Sequence, residues 1–176
     1  MSITPCLWFD TEGEEAAAFY TSVFPNSRVL EISHYGEAGP RPAGSVMMVS
    51  FELDGQRFLA LNGGPEFTFN ESISFTIDCA GQAEVDHYWS RLSEGGEEGP
   101  CGWLKDRYGV SWQVVPDRLP ELLMNPDPDI AQRVMAAMLR MHKIDIDALE
   151  AAAADAGTPA DGSRPAQASG QGVGGG

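Results

Sequence analysis

Basic residues are scarce in this chain: 11 Lys and Arg stand against 26 Asp and Glu, a formal net charge of −15. Phosphate backbones are bound by clustered Lys and Arg, so this balance argues against nucleic acid and equally against an anionic membrane surface. No apolar run approaches the roughly 18 residues of a membrane span. No charged-then-apolar leader opens the chain, so it is expected to be neither membrane-spanning nor exported. Cysteine is limited to Cys6, Cys79 and Cys101. Their odd number and wide spacing point to free thiols in a reducing cytoplasm. The Asn70-Glu71-Ser72 glycosylation triplet is then incidental. What is present is an ordinary globular composition, 43% hydrophobic and 21% charged over 176 residues, which suits one domain with appendages. A unit of about 150 residues buries roughly 68–70% of its unfolded surface, enough to fold without a disulfide or a structural metal.

The composition changes abruptly at Ala151, where AAAADAGTPADGSRPAQASGQGVGGG begins. This segment has no aromatic residue and almost nothing larger than Val, so it cannot offset the entropy of ordering and is expected to be a disordered tail. It also carries a G-x-G-x-x-G at Gly170, Gly172 and Gly175. A dinucleotide loop needs a strand before it and a helix after it, and this one has neither. The expected organisation is a domain over 1–126, a helical appendage over 127–152 and the tail over 153–176.

Two segments of the folded part share a pattern. CLWFDTEGEEAAAFYTSVF from Cys6 and SFTIDCAGQAEVDHYWSRL from Ser74 align Asp10 with Asp78, Gly13 with Gly81, Tyr20 with Tyr88 and Phe24 with Leu92, an offset of 68 residues. Each opens on a short aromatic or β-branched run, expected to be a strand. A helix follows in each. Thr11 and Glu14 form a capping-box pair in the first copy, and Val85, Trp89 and Leu92 make a helical stripe in the second. Two antiparallel strands then flank Asp54-Gly55, a hairpin dipeptide. A second pair flanks Asp106 to Gly109. Arg28 to Ser33 supplies one more strand in the first half, and its counterpart near Gly95–Gly99 is poor. The fold class expected is α+β: two βαβββ modules forming a curled mixed sheet with a cleft, plus C-terminal helices. Asp127-Pro128 caps the first of these. Ile130, Val134, Ala137, Met138 and Met141 follow at helical spacing, a face suited to docking on the body or to a dimer contact. Asp145 caps a further short helix.

The blocks ITPCLWFDTEGEEAAAFYTSVFPNSRV, LDGQRFLALNGGPEFTFNESISFTIDC and CGWLKDRYGVSWQVVPDRLPELL, followed by MLRMHKIDIDALEAA, carry a resemblance. Together they are similar to the PhnB-like branch of the vicinal oxygen chelate superfamily, the glyoxalase/bleomycin-resistance group. This branch is often labelled demethylubiquinone methyltransferase-like. The resemblance spans about residues 2–152 and implies paired βαβββ modules around a cleft, usually completed within a homodimer. Metal-dependent members place His or Glu on the first and later strands of each module. Those positions fall here on Thr4 or Pro5, on Ser72, on Gln113 and near Leu59 to Asn62, none an imidazole or carboxylate. Divalent centres need such donors, so no metal and no other cofactor are expected.

Of the three histidines, His87 lies on a helix and His142 at a helix end. His34, beside Tyr35, is the one admitted to a cleft, where Glu71 offers a carboxylate. Methyl transfer lacks support, because the strand order is wrong for a doubly wound parallel sheet. Cys101, near Lys105 and Arg107, is expected to be an inert turn cysteine rather than an activated thiolate. If Trp112 and Val114 face the helices, alternation turns Ser111, Gln113 and Val115 to the cleft. Ser72, Ser74 and Thr76 share a face in the same way. The candidate ligand cleft is Phe9, Asn62, Phe69, Glu71, Ser72, Ser74, Trp103, Ser111 and Gln113, apolar walls with a few fixed polar groups. Asn62, before Gly63-Gly64, has a turn-stabilising role as its other reading.

The leading expectation is a metal-independent protein or enzyme that binds a small molecule. One alternative is a metal-dependent lyase, dioxygenase or antibiotic-resistance enzyme with a site around His34 and Glu71. The other is a non-catalytic interaction module that uses the acidic surface and the C-terminal helices.

Overall fold

A computed structural model describes residues 3–155; the G-x-G-x-x-G and nearly all of the expected tail lie outside the described residues. Each half of the domain is one βαβββ unit. The first comprises β1 (Cys6–Phe9), α1 (Gly13–Val23), β2 (Arg28–His34), β3 (Val46–Leu53) and β4 (Gln56–Asn62). The second comprises β5 (Phe75–Cys79), α2 (Gln82–Ser93), β6 (Glu97–Glu98), β7 (Trp103–Lys105) and β8 (Ser111–Pro116). The sheets are separate and four-stranded, in the orders β1-β4-β3-β2 and β5-β8-β7-β6. The first strand of each pairs in parallel with the last, and the rest are antiparallel. This internal duplication is the α+β fold implied by the 68-residue offset. The strand without a clear signal, β6, exists but is only two residues long.

Local chemistry explains most boundaries. Asp54 and Gly55 have φ of 42° and 85°, the pair of left-handed residues that a tight hairpin turn requires. The Thr11–Glu14 capping box does not form. Glu12 is the N-cap of α1 and makes no side-chain cap. Instead, Asn62 Oδ1 accepts the Gly13 N–H at 2.8 Å from the end of β4, so a neighbouring strand supplies what the helix start lacks. In α2 the Glu84 carboxylate reaches back to the Ala80 N–H at 2.8 Å.

Each helix covers one face of its own sheet, and the two modules share one core. Tyr20 and Phe51 from the first unit are fully buried, as are Val85, Leu92 and Val114 from the second. Burying such a side chain contributes about 1.5–3 kcal/mol. Edge and tilted aromatic pairs cross the boundary: Tyr20 with Trp112 at 5.5 Å, Phe58 with Phe75 at 5.3 Å and Phe9 with Tyr108 at 6.2 Å. Asp106 locks the same boundary. Its buried carboxylate accepts from the Tyr20 hydroxyl at 2.7 Å, Trp112 Nε1 at 2.8 Å, and the Tyr108 and Val110 N–H groups at 2.9 and 3.0 Å. Burial raises its pKa above the usual carboxylate value, and the four donors oppose that shift.

The C-terminal helices form a second cluster. An unanticipated α3 (Arg118–Leu123) packs with α4 (Pro128–Met138) and α5 (Ile146–Ala154) around Leu119, Leu122, Val134, Ile144 and Leu149. Asp127 caps α4 and Asp145 caps α5, each accepting an N–H at 2.9 Å. The stripe of Ile130, Met138 and Met141 turns into this cluster. Gly102 joins it to the second sheet, donating to His142 O at 2.7 Å and accepting from Val114 N at 2.8 Å. A Cβ there would sit 2.7 Å from Val114 O, at a φ of +83°. No helix of the described residues is long and apolar enough to cross a membrane.

Candidate functional site

Strand alternation sorts the second sheet into two faces. Leu104, Trp112, Val114 and Ile77 point to the helices and are buried. Trp103, Lys105, Ser111, Gln113, Ser74 and Thr76 then occupy the open face. Trp103 lies opposite Gln113, and Lys105 opposite Ser111. Gln113 Nε2 donates to Ser74 Oγ at 2.8 Å.

Ser111 stands apart. It is 2% exposed, and its Oγ is the one buried side-chain N or O among the described residues without a hydrogen-bond partner. A hydroxyl removed from water without a partner is costly, so such an atom asks what is meant to meet it.

Two cavities meet at this serine. The outer one, about 360 Å³, is lined by Glu71, Glu97, Glu98, Trp103 and Lys105 with backbone of the β6–β7 turn. The inner one, about 440 Å³, is lined by Pro5, Leu7, Phe69, Ser72, Ile73 and Phe75 among others. Between them runs the loop carrying Asn70 to Ser72. Glu71 in that loop pairs with Lys105 Nζ at 2.5 Å. The hydrogen bond holds the Glu71 carboxyl below its usual pKa and Lys105 above its own. Cys6 also lines the inner cavity, and burial pushes its thiol pKa up.

Five of the nine expected cleft residues therefore line the two cavities: Phe69, Glu71, Ser72, Trp103 and Ser111; Ser74 shares the open face but lines neither. Gln113 itself lines neither cavity and is spent on Ser74. Two placements need correction. Phe9 is 4% exposed and packs edge-on to Phe69 at 5.2 Å; alternation with Trp8 sends it to the core rather than to a mouth. Asn62 is 5% exposed and fully used, since its Oδ1 caps α1 and its Nδ2 donates to Val46 O at 3.2 Å. Its turn-stabilising role has become a helix cap. Glu97 and Glu98 were missed. The 68-residue offset places residue 96 opposite Arg28 at the start of β2 and could have found them.

A family model described as 3-demethylubiquinone-9 3-methyltransferase matches residues 1–115. The chain belongs to this PhnB-like family. It is 35% identical to the PhnB protein from Bacillus cereus, itself described as a 3-demethylubiquinone-9 3-methyltransferase, with a TM-score of 0.58 over 66% of this chain and 99% of that one. Protein PA1353 from Pseudomonas aeruginosa shares the fold at 21% identity and a TM-score of 0.56, over 66% of this chain and 97% of that one. A fosfomycin resistance protein, FosX, from Listeria monocytogenes does so at 18% and 0.51, over 69% and 94%. These two likenesses show the vicinal oxygen chelate fold alone. No curated protein matches the chain. The family match stops at residue 115, so α3 to α5 are additional to it.

The divalent ion of metal-dependent superfamily members does not fit the residues at its positions here. The Pro5 carbonyl accepts from Leu59 N at 2.9 Å, Ser72 Oγ is bonded to Asn70 Oδ1 at 2.5 Å, and Gln113 and Asn62 are engaged as above. Among the described residues no group of three or more His, Cys, Asp or Glu side chains is placed to hold a metal ion. His34 ends β2 on the first sheet, exposed, whereas Glu71 belongs to the loop before the second.

Proposed function

We propose that the protein binds a small organic molecule, without a divalent ion, in the trough formed by the two cavities that share Ser111, and that it works as a homodimer. The observation that carries this reading is Ser111 Oγ, a buried hydroxyl without a partner at the point where both cavities meet. A ligand's polar atom supplies the missing hydrogen bond once the Ser111 hydroxyl, closed to water in the ligand-free protein, turns towards it, while Trp103 on one side and Phe69, Ile73 and Phe75 on the other cover its apolar surface. Such a combination of apolar walls and few fixed polar groups is typical of small-molecule sites.

The lining favours binding over chemistry. Cys6, the one thiol lining the trough, is exposed and has its pKa raised above the ordinary thiol value by partial burial, without a cation that would activate it. A Rossmann-type methyl-transfer site does not fit this fold. Both sheets run in the order first-fourth-third-second with antiparallel neighbours, and the turns into α1 and α2 carry Asp10-Thr11-Glu12 and Ala80-Gly81 in place of a glycine-rich loop. Homodimer formation draws support from β2, an edge strand that leaves Val29, Leu30 and Ile32 exposed.

A thermal-shift screen of small organic molecules tests the binding site. Compounds that raise the unfolding midpoint of the wild type are expected to raise it less in Ser111→Ala and not at all in Ser111→Phe, which fills the junction. Equal shifts in all three proteins would place binding elsewhere and sink the reading.

A further inference from the structure

The two cavities that meet at Ser111 differ in charge. The outer one is lined by Glu71, Glu97 and Glu98 against the single basic residue Lys105, and the Glu98 side chain, opposite Leu104 on β7, turns to α2. The inner one has no charged side chain in its lining. Within the outer cavity Lys105 is taken by Glu71, and Glu98 accepts from Trp89 Nε1 at 3.0 Å. Glu97 enters none of the ion pairs of the described residues. An anionic ligand would have to displace Glu71 from Lys105 and would then face an excess of like charge. A cation meets the opposite situation: the carboxylate of Glu97, which stands opposite Lys105 in the strand pair without forming an ion pair, and the indole of Trp103, whose face attracts cations.

Resting on the ligand-binding reading above, we infer that the ligand is an amphiphilic amine. Its cationic head lies in the outer cavity against Glu97 and Trp103. A polar atom meets Ser111 Oγ at the junction, and the apolar body fills the inner cavity against Phe69, Ile73 and Phe75. The Glu71–Lys105 pair then keeps the one competing cation of the trough neutralised, so that the charge offered to the ligand is negative.

Isothermal titration of the full chain with three probes of equal length tests this: octylamine, which is protonated at about pH 7, octanol and octanoate. Octylammonium is expected to bind about tenfold tighter than octanol, the sum of an exposed carboxylate contact and a cation–aromatic contact, with octanoate weakest. Glu97→Gln is expected to weaken octylammonium by about threefold and to leave octanol unchanged. Raising the salt from about 0.15 M to about 0.5 M should narrow the gap between the two. Octanoate or octanol binding as tightly as octylammonium overturns the amine and leaves the trough as a ligand site. A Glu97→Gln effect equal on all three probes also overturns it, because the carboxylate is then acting through structure. Binding of no probe overturns the amine as well, and whether an organic molecule co-purifies with the protein then decides the wider reading separately.

Discussion

Replacing Ser111 by Ala is expected to stabilise the ligand-free protein. The Oγ is closed to water and has no partner, so the folded state bears the desolvation of a hydroxyl, a cost of about 1–3 kcal/mol. Removing the oxygen relieves that cost and forfeits a few atomic contacts at about 0.1–0.2 kcal/mol each. The expected net gain is about 1 kcal/mol, a rise in midpoint of roughly 2–4 °C for a chain of this size. Ser74→Ala is the matched control on the same face. Its hydroxyl accepts from Gln113 at 2.8 Å, so its loss should cost about 0.5–1.5 kcal/mol. Urea unfolding and calorimetry of the two variants against the wild type measure both signs. For ligand binding the signs reverse, and Ser111→Ala should lower affinity by about tenfold, the worth of one hydrogen bond in a closed site. A Ser111→Ala protein destabilised by about 1 kcal/mol or more would mean that the hydroxyl is already satisfied, and the reasoning from it would fail.

Tyr20→Phe removes one of four donors to the buried Asp106 carboxylate, so a loss of about 1.5–3 kcal/mol in urea unfolding is expected; an unchanged midpoint would show that the module boundary does not depend on this bond. Asn62→Ala uncaps α1 from across the fold and should cost about 1–2 kcal/mol, read by thermal unfolding, with ligand affinity unchanged because Asn62 lies outside the trough. Alkaline pH should weaken the fold. Cys79 and Tyr108 are both pushed to about 12 in the folded protein by burial, from ordinary values of 9.0 and 10.0. The folded state thus holds protons that the unfolded state releases, and stability is whole below about pH 9 and declines as pH rises towards 12. In keeping with this, a thiol reagent at about pH 8 should label exposed Cys6 and spare Cys79; equal labelling rates would contradict the burial.

The fold was legible wherever the signal was local or repeated. Asp54-Gly55 specified a hairpin through two left-handed residues. Trp112 is buried as expected, and alternation puts Ser111 and Gln113 together on the other face of β8, because a strand has only two faces. What escaped was non-local or masked. The cap of α1 comes from Asn62, and Gly13 is its partner 49 residues away in sequence; a plausible local pair, Thr11 and Glu14, hid that need. Phe9 ends its strand beside a turn, where an aromatic side chain resembles a cleft wall, yet alternation with Trp8 commits it to the core. Helix α3 contains Pro120, which reads as a breaker although the first turn of a helix has no N–H to lose. Glu97 and Glu98 form a strand too short to show any alternation. At the site, residue types located the open face, but the missing partner of Ser111 and the uneven charge of the two cavities exist only once β7, β8 and the loop carrying Glu71 are assembled.

Native mass spectrometry of the full chain, purified without chelator and with metal content determined on the same sample, tests ligand binding most directly. The expected result is a dimer carrying a small organic adduct that is lost in Ser111→Phe, with no stoichiometric divalent ion. A stoichiometric Zn, Ni, Fe or Mn without an organic adduct, retained in Ser111→Phe, would contradict it.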